Sequence, residues 1–184
     1  MSFVRPASTY TNISLRDPVK LRFGKESLGL CQPLTLPKYF KQACEMYCNV
    51  ALAYKNDKFE NSWIYITYAE CAKQVQRVAI KLIKLGLKSF DSVAILSSDC
   101  PEYFYMEMAA LSIGATVAGI YLTSSSEMVY YILNAIEASL CLADNADQML
   151  KVFEVKVRLP KLKAVIQLKG TLDASLKNSE GYYS

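Results

Sequence analysis

The chain has 184 residues, 52% hydrophobic and 21% charged, a balance that builds a core and excludes a disordered chain. Its formal net charge of +4 is too small an excess to argue for nucleic-acid binding, which needs basic residues gathered on one face. The opening "MSFVRPASTYTNISLRDP" lacks the apolar segment of a secretory signal, so a cytoplasmic location is expected, with the six cysteines reduced and mostly buried.

Residues 1–35 read as an irregular arm, with one short strand at "VKLRFG" (19–24). "LPKYFKQACEMYCNV" follows with Phe40, Cys44 and Tyr47 spaced for one apolar helix face. "VALAYKNDKFENSWIYIT" reads as two strands around a polar turn at Asn56, Asp57 and Lys58. From Thr67 the pattern becomes regular. Thr67 and Glu70 form a capping box, in which hydroxyl and carboxylate each satisfy an orphan amide. Ala72, Val75, Ala79 and Leu82 recur at helical spacing, and Gly86 is placed to end that helix in a left-handed turn.

"SVAILSS" (92–98) is a short apolar run suited to a strand covered on both faces. Pro101 and Glu102 suit the first turn of the next helix, which runs to Ile113 and Gly114. "ATVAGIYL" is then a strand, and Ser124 with Glu127 a second capping box opening "EMVYYILNAIE". "SLCLAD" is another strand, Asn145 and Gln148 cap a helix stopping near Leu159 and Pro160, and "LKAVIQL" (162–168) is the last strand. The tail 171–184 shows no period and reads as loose. The stretch "MEMAALSIGATVAGIYL" (106–122) falls short of the ~20 apolar residues of a membrane span. It carries Glu107 and is interrupted by Gly114, so a helix, a glycine turn and a strand explain it better.

Strands alternating with helices predict an α/β fold: βα units, a mostly parallel sheet flanked by helices, and right-handed crossovers. Ligands of such sheets bind beyond the carboxyl ends of the strands. Those ends offer Ser97, Ser98 and Asp99, then Thr123, Ser124 and Ser125, then Asp144 and Asn145. Each group precedes a helix whose amino end attracts anions, although caps and turns account for all three more simply.

No catalytic constellation stands out. The sequence has no histidine, so Ser-His and Cys-His pairs are excluded, and it has neither GxGxxG nor GxxxxGK[ST]. Asp99 and Glu102 read as helix-start residues, not as an acid/base pair. Cys44 and Cys48 have metal-ligand spacing on a helix, but no second pair exists to complete a zinc site. The tyrosine-rich "YITY", "EYFYM" and "MVYYIL" are better read as packing than as base-stacking platforms. Residues 151–169 hold six basic residues against one acidic. They suit either weak peripheral contact with the anionic headgroups of a membrane or a solvated helix face, the simpler account.

The ordered series is more telling than any one motif. "ALAYKNDKFENSWIYITYAECAKQVQRVAIKLIKLGL", "SVAILSSDCPEYFYMEMAALSIGATVAGIYLTSSSEMVYYIL", "ASLCLADNADQMLKV" and "LPKLKAVIQLKG" together resemble the amino-terminal part of an AMP-forming acyl-CoA synthetase. "ITYAE" resembles the TY-x-E signature of that superfamily, and "YLTSSSEMVYYIL" with "VKLRF" resembles its bubblegum-type long-chain and very-long-chain fatty acid ligases.

The resemblance implies a partial AMP-binding subdomain over 36–170, between the arm 1–35 and the tail 171–184. It implies a family reaction in which ATP and a fatty acid give an acyl-adenylate and pyrophosphate, and CoA then displaces AMP. ATP, magnesium and CoA serve the full-length family, and none is expected for this chain alone. The family's phosphate loop, TSGTTGxPKG, is expected beyond these blocks. Lys169 and Gly170 before "TLDAS" are not that loop. No catalytic, cofactor-binding or metal residue of the family therefore transfers to a position here, and the chain is expected to be a truncated form, inactive alone. Two alternatives stand beside this expectation. One is a non-catalytic interaction module that self-associates through an exposed sheet edge; the other is an independent flavodoxin-like ligand-binding domain.

Overall fold

The computed structural model describes residues 33–55, 62–171 and 181–183. The strand expected at 19–24 and the turn at Asn56–Lys58 lie outside these residues. Helix α1 (Leu36–Met46) starts at Thr35, whose hydroxyl accepts from the Lys38 amide at 3.4 Å. Strands β1 (Val50–Lys55) and β2 (Trp63–Thr67) pair antiparallel as expected, with Leu52 opposite Ile66 and Lys55 opposite Trp63.

The β2 strand runs directly into α2 (Tyr68–Lys84) through the Thr67–Glu70 capping box. Its far end is a Schellman motif: the Gly86 amide reaches the Ile83 carbonyl and the Leu87 amide the Leu82 carbonyl. Gly86 sits at φ +86° and Leu87 packs back into the core. The buried stripe of α2 is Cys71, Val75 and Leu82, while Ala72 and Ala79 stay half-buried beside α1.

Strand β3 (Ser92–Leu96), helix α3 (Pro101–Ile113) and strand β4 (Thr116–Gly119) form the first βαβ unit. Helix α4 (Ser126–Ala135), strand β5 (Ala138–Ala143), helix α5 (Ala146–Lys156) and strand β6 (Ala164–Gln167) continue it. Strand β7 (Tyr182–Tyr183) closes the sheet, whose order is β4-β3-β5-β6-β7, parallel throughout.

Alternation divides the core in two. Val93, Ile95, Leu140, Leu142 and Ala164 face α2 and α3, while Ala94, Leu96, Cys141, Ala143 and Val165 face α4 and α5. Helix α3 buries Pro101, Tyr105, Met106, Met108, Ala109 and Ala110 and is in contact with β4, α1 and α2.

Four expectations change. The strand read from "ATVAGIYL" covers only Thr116–Gly119 and is a half-exposed edge, because β3 ends at Leu96 and the chain turns at Tyr121–Ser124. The α4 cap is Ser125, not Ser124; Glu127 is taken by Arg158, at 2.6 and 3.2 Å, instead of closing a box. Cys44 and Cys48 do not share a helix face, since α1 stops at Met46 and Tyr47 is extended. The loose tail ends in structure: Tyr182 pairs with Val165 and is buried beside Phe153. No helix among the described residues is long and apolar enough to cross a membrane.

Candidate functional site

From β3 the chain crosses one way to β4; from β5 it crosses the other way to β6. That reversal makes the gap between the carboxyl ends of β3 and β5 the topological switch point, where ligands of open α/β sheets sit. The register aligns Leu96 with Ala143, so the next residues, Ser97 and Asp144, emerge side by side. Ser97 Oγ donates to Asp144 Oδ1 at 2.8 Å, and Ser98 Oγ to the same oxygen at 3.0 Å. The register also aligns Ala143 with Gln167, which delivers Lys169 to this edge. Its Nζ lies 3.1 Å from Asp144 Oδ1 and 3.2 Å from Ser98 Oγ.

Burial alone would push the Asp144 carboxyl up. The hydrogen bonds from Ser97, Lys169 and Ser98, with the Lys169 charge, outweigh that cost and hold it below the usual carboxylate range. A carboxylate so stabilised is a weak base. Its work is to clasp the ends of three strands and to orient Ser98 and Lys169.

Beside the clasp lies a cleft of ≈ 570 Å³, lined by Ser97, Ser98, Asp99, Tyr103 and the run Gly119–Thr123. Gly119 is there for space: a Cβ would come within 2.8 Å of the Tyr103 hydroxyl. Burial, and after it the negative charges of Glu107 and Asp99, raise the Tyr103 pKa, so the phenol remains a neutral donor. The cleft can offer hydroxyl hydrogen bonds beside the apolar Ile120 and Leu122. No cluster of three or more metal-ligating side chains occurs among the described residues.

The strand-end residues singled out in the sequence divide. Ser97, Ser98, Asp99 and Thr123 line one cleft, and Asp144 is tied to it. Of the caps and turns read there, Ser125 and Asn145 cap α4 and α5 and Thr123 lies in the turn at Tyr121–Ser124, while Ser97, Ser98 and Asp144 join one another through their side chains. The Ser124 carbonyl accepts from Lys151 Nζ at 2.9 Å. Sequence reasoning passed over Tyr103, Gly119 and the role of Lys169; the one signal available was an isolated glycine inside a strand pattern.

The basic run 151–169 is occupied in tertiary contacts. Lys151 binds the Leu122 and Ser124 carbonyls, Lys156 lies over the Tyr182 ring, and Arg158 takes Glu127 and the Tyr130 ring. Lys161, Lys163 and Lys169 pair with Glu137, Asp91 and Asp144.

Residues 40–183 match the family described as AMP-binding enzyme. The chain belongs to that family. Among its family relatives is the long-chain-fatty-acid–CoA ligase heimdall of Drosophila melanogaster, 40% identical over 188 residues, covering 100% of this chain and 28% of the relative. The ligase ACSBG2 of Xenopus laevis is 32% identical over 161 residues, covering 87% and 21%. The ligase ACSBG1 of Homo sapiens is 35% identical over 135 residues, covering 73% and 18%. The likeness to bubblegum-type ligases is thus borne out, and the chain spans about a quarter of the length of these relatives. Among solved structures, the anthranilate CoA ligase AuaEII in complex with anthranoyl-AMP overlays with a TM-score of 0.68 at 18% identity, covering 80% of this chain and 26% of that one. The acetoacetyl-CoA synthetase of Streptomyces lividans gives 0.68 at 20% identity, covering 80% and 23%. These overlays establish the AMP-binding fold, an α/β sheet flanked by helices.

Proposed function

We propose that this protein serves as the amino-terminal part of a long-chain fatty acid–CoA ligase. In that reaction the fatty carboxylate attacks the α-phosphorus of ATP, pyrophosphate leaves, and the CoA thiol then displaces AMP from the acyl-adenylate. The observation that carries the reading is the alignment of the whole chain, at 40% identity, with a protein named as such a ligase.

The described residues do not themselves fit ATP or magnesium. The one buried carboxylate at the switch point, Asp144, already accepts from Ser97, Ser98 and Lys169 on one oxygen and from Asn145 on the other, and no cluster of three or more metal-ligating side chains occurs among the described residues. We therefore assign the segment a scaffold role, forming one wall of the ligase with its sheet and clasp, and expect residues 1–184 alone to make no acyl-CoA.

The test is a chimera. Residues 1–184 replace the matching segment of the Drosophila ligase, and fatty-acid-dependent conversion of ATP to AMP with CoA is measured beside the isolated segment. An active chimera and a silent segment support the reading. A folded but inactive chimera overturns it, and acyl-CoA formation by the isolated segment overturns the scaffold role.

A second reading, action through self-association, draws on the stripe Leu150, Phe153 and Val157, exposed along one side of α5 and just past its end. Light scattering of the purified chain separates the two: a strict monomer at high concentration counts against self-association.

A further inference from the structure

The amino ends of the strands, opposite the switch point, border a cleft of ≈ 450 Å³. Phe90, Asp91 and Ser92 line it where the chain enters β3, Ile136, Glu137 and Ser139 where α4 gives way to β5, and Pro160, Lys161 and Lys163 ahead of β6. A second hollow of ≈ 290 Å³ shares Glu137, Pro160 and Lys161 with it. Apart from Asn134, the rest of that hollow is apolar: Leu133, Ala138, Leu159 and Leu162.

Three features of the cleft cost the fold and return little to its core. Ser139 is only 6% exposed, yet its hydroxyl has no hydrogen-bond partner among the described residues; only its carbonyl is used, by the Lys163 amide at 2.9 Å. It stands at a bulge, because Ser92 pairs with Ala138 and Val93 with Leu140, which leaves Ser139 no partner on β3. The non-glycine residues of positive φ among those described, Phe90 at +67° and Glu137 at +50°, both line this cleft. Glycine would hold either turn without strain, and the Phe90 ring, 90% exposed, adds nothing to the core. Strained backbone gathers where a fold serves a ligand.

The charges on the rim select that ligand. Asp91 Oδ2 accepts from the Lys88 amide at 2.9 Å and faces Lys163 Nζ at 3.6 Å. Asp91 Oδ1 makes no hydrogen bond among the described residues, and 3.6 Å is too long for one from Lys163. An open carboxylate oxygen, an ammonium with open donors and an unpaired buried hydroxyl therefore share one cleft. A simple anion would meet Asp91 and Glu137, and a simple cation Lys161 and Lys163, so a ligand of one charge is disfavoured either way. A molecule that carries an ammonium and a carboxylate on one carbon, beside an apolar group, satisfies all of these residues.

We propose that this cleft binds a free α-amino acid with a branched or aromatic side chain. Its carboxylate sits at Lys163 and Ser139, its ammonium at Asp91, and its side chain in the hollow of Leu133, Leu159 and Leu162. This goes beyond the ligase reading and rests on no part of it, because the site lies at the other end of the sheet from the switch point.

The test is calorimetric titration of the purified chain with L-leucine and L-phenylalanine, with glycine, N-acetyl-leucine and leucine amide as controls. Leucine or phenylalanine should bind at least about tenfold tighter than glycine, from burial of the side chain. Blocking either charge should weaken leucine about tenfold or more, as for loss of a hydrogen bond to a charged group. Ser139→Ala should weaken leucine about tenfold by the same reasoning, with no fall in Tm, because the free protein loses no hydrogen bond. Three results would each overturn the proposal. The first is no heat with either amino acid up to about 5 mM, where a Kd of about 1 mM would still be seen. The second is N-acetyl-leucine or leucine amide binding as tightly as leucine. The third is leucine binding unchanged in a folded Ser139→Ala. None of them bears on the chimera's ligase activity, so the two readings fail separately.

Discussion

Replacing Asp144 by alanine removes the acceptor on which three donors converge. Asp144 and Ser97 are almost fully buried, and Lys169 is about half exposed. A hydrogen bond to a charged group is worth about 1.5–3 kcal/mol net. Two such bonds, at 2.8 and 3.0 Å, give about 3 kcal/mol at the lower end of that range. The Lys169 contact adds under about 1 kcal/mol, because solvent screens an ion pair exposed on one side. For a chain of this size, about 3 kcal/mol corresponds to a fall in Tm of about 6–12 °C. Asp144→Asn should cost less, because its amide oxygen can still accept from Ser97.

The sign of the pH dependence follows from the direction of the shift. The carboxyl has a lower pKa folded than unfolded, where about 3.9 is usual. Its contribution is therefore fully present above that unfolded value and is lost as pH falls through the folded one. The assay is thermal melting of wild type, Asp144→Ala and Asp144→Asn from pH 3 to pH 8. The stability gap between wild type and Asp144→Asn should be flat from pH 5 to pH 8 and close in acid. A fall of less than about 2 °C for Asp144→Ala at pH 7, or a gap unchanged at pH 3, would refute the clasp.

Three further outcomes are expected. Gly114→Ala should cost about 1–2 kcal/mol for its left-handed φ of +87° and more for the contact at 2.6 Å with Ser89 Oγ, whereas Gly86→Ala, in open space at φ +86°, should show the backbone cost alone; paired melts check the difference. Glu137→Gly should raise the Tm, because Glu137 ends α4 at φ +50° with a side chain and its exposed contact with Lys161 returns little; a lower melt would show that the ion pair outweighs the strain. Burial pushes the thiols of Cys71 and Cys141 up to about 11 and about 12, so native alkylation at pH 8 followed by mass spectrometry should modify exposed Cys48 and leave those two untouched until the chain unfolds.

What could be read from the sequence was local. The Thr67–Glu70 box, the Gly86 turn and the Asn145–Gln148 cap each join residues three to five apart, and all appear in the structure. The α4 cap slipped by one residue because Ser124 and Ser125 both offer a hydroxyl, and Glu127, read as the cap's partner, pairs with Arg158, thirty-one residues away. The doubly covered strands read as continuous apolar runs, since Val93 to Leu96 are buried on both faces, and such a run says nothing of which strand lies beside which. The clasp was invisible for the same reason: Ser97 and Asp144 are forty-seven residues apart, and Ser98 and Lys169 seventy-one. Strand β7 was missed because two paired residues are too few to leave a period.

The placement of buried polarity argues for the carboxyl edge independently of any pocket. The buried polar residues among those described are Ser97, Ser139, Asp144 and Gln167. Three of these four close the carboxyl ends of β3, β5 and β6, and only Ser139 stands near an amino end. Gln167 holds the turn beyond β6 by donating to the Lys169 and Thr171 carbonyls at 2.8 and 3.2 Å. Apolar residues of similar volume would close a sheet edge without the desolvation cost that Asp144 carries. Among the described residues the buried carboxylate stands at this edge alone, beside the cleft lined by Ser97 and Ser98. The departure from the cheapest packing is the clasp itself, which ties the carboxyl ends of β3, β5 and β6 to one another.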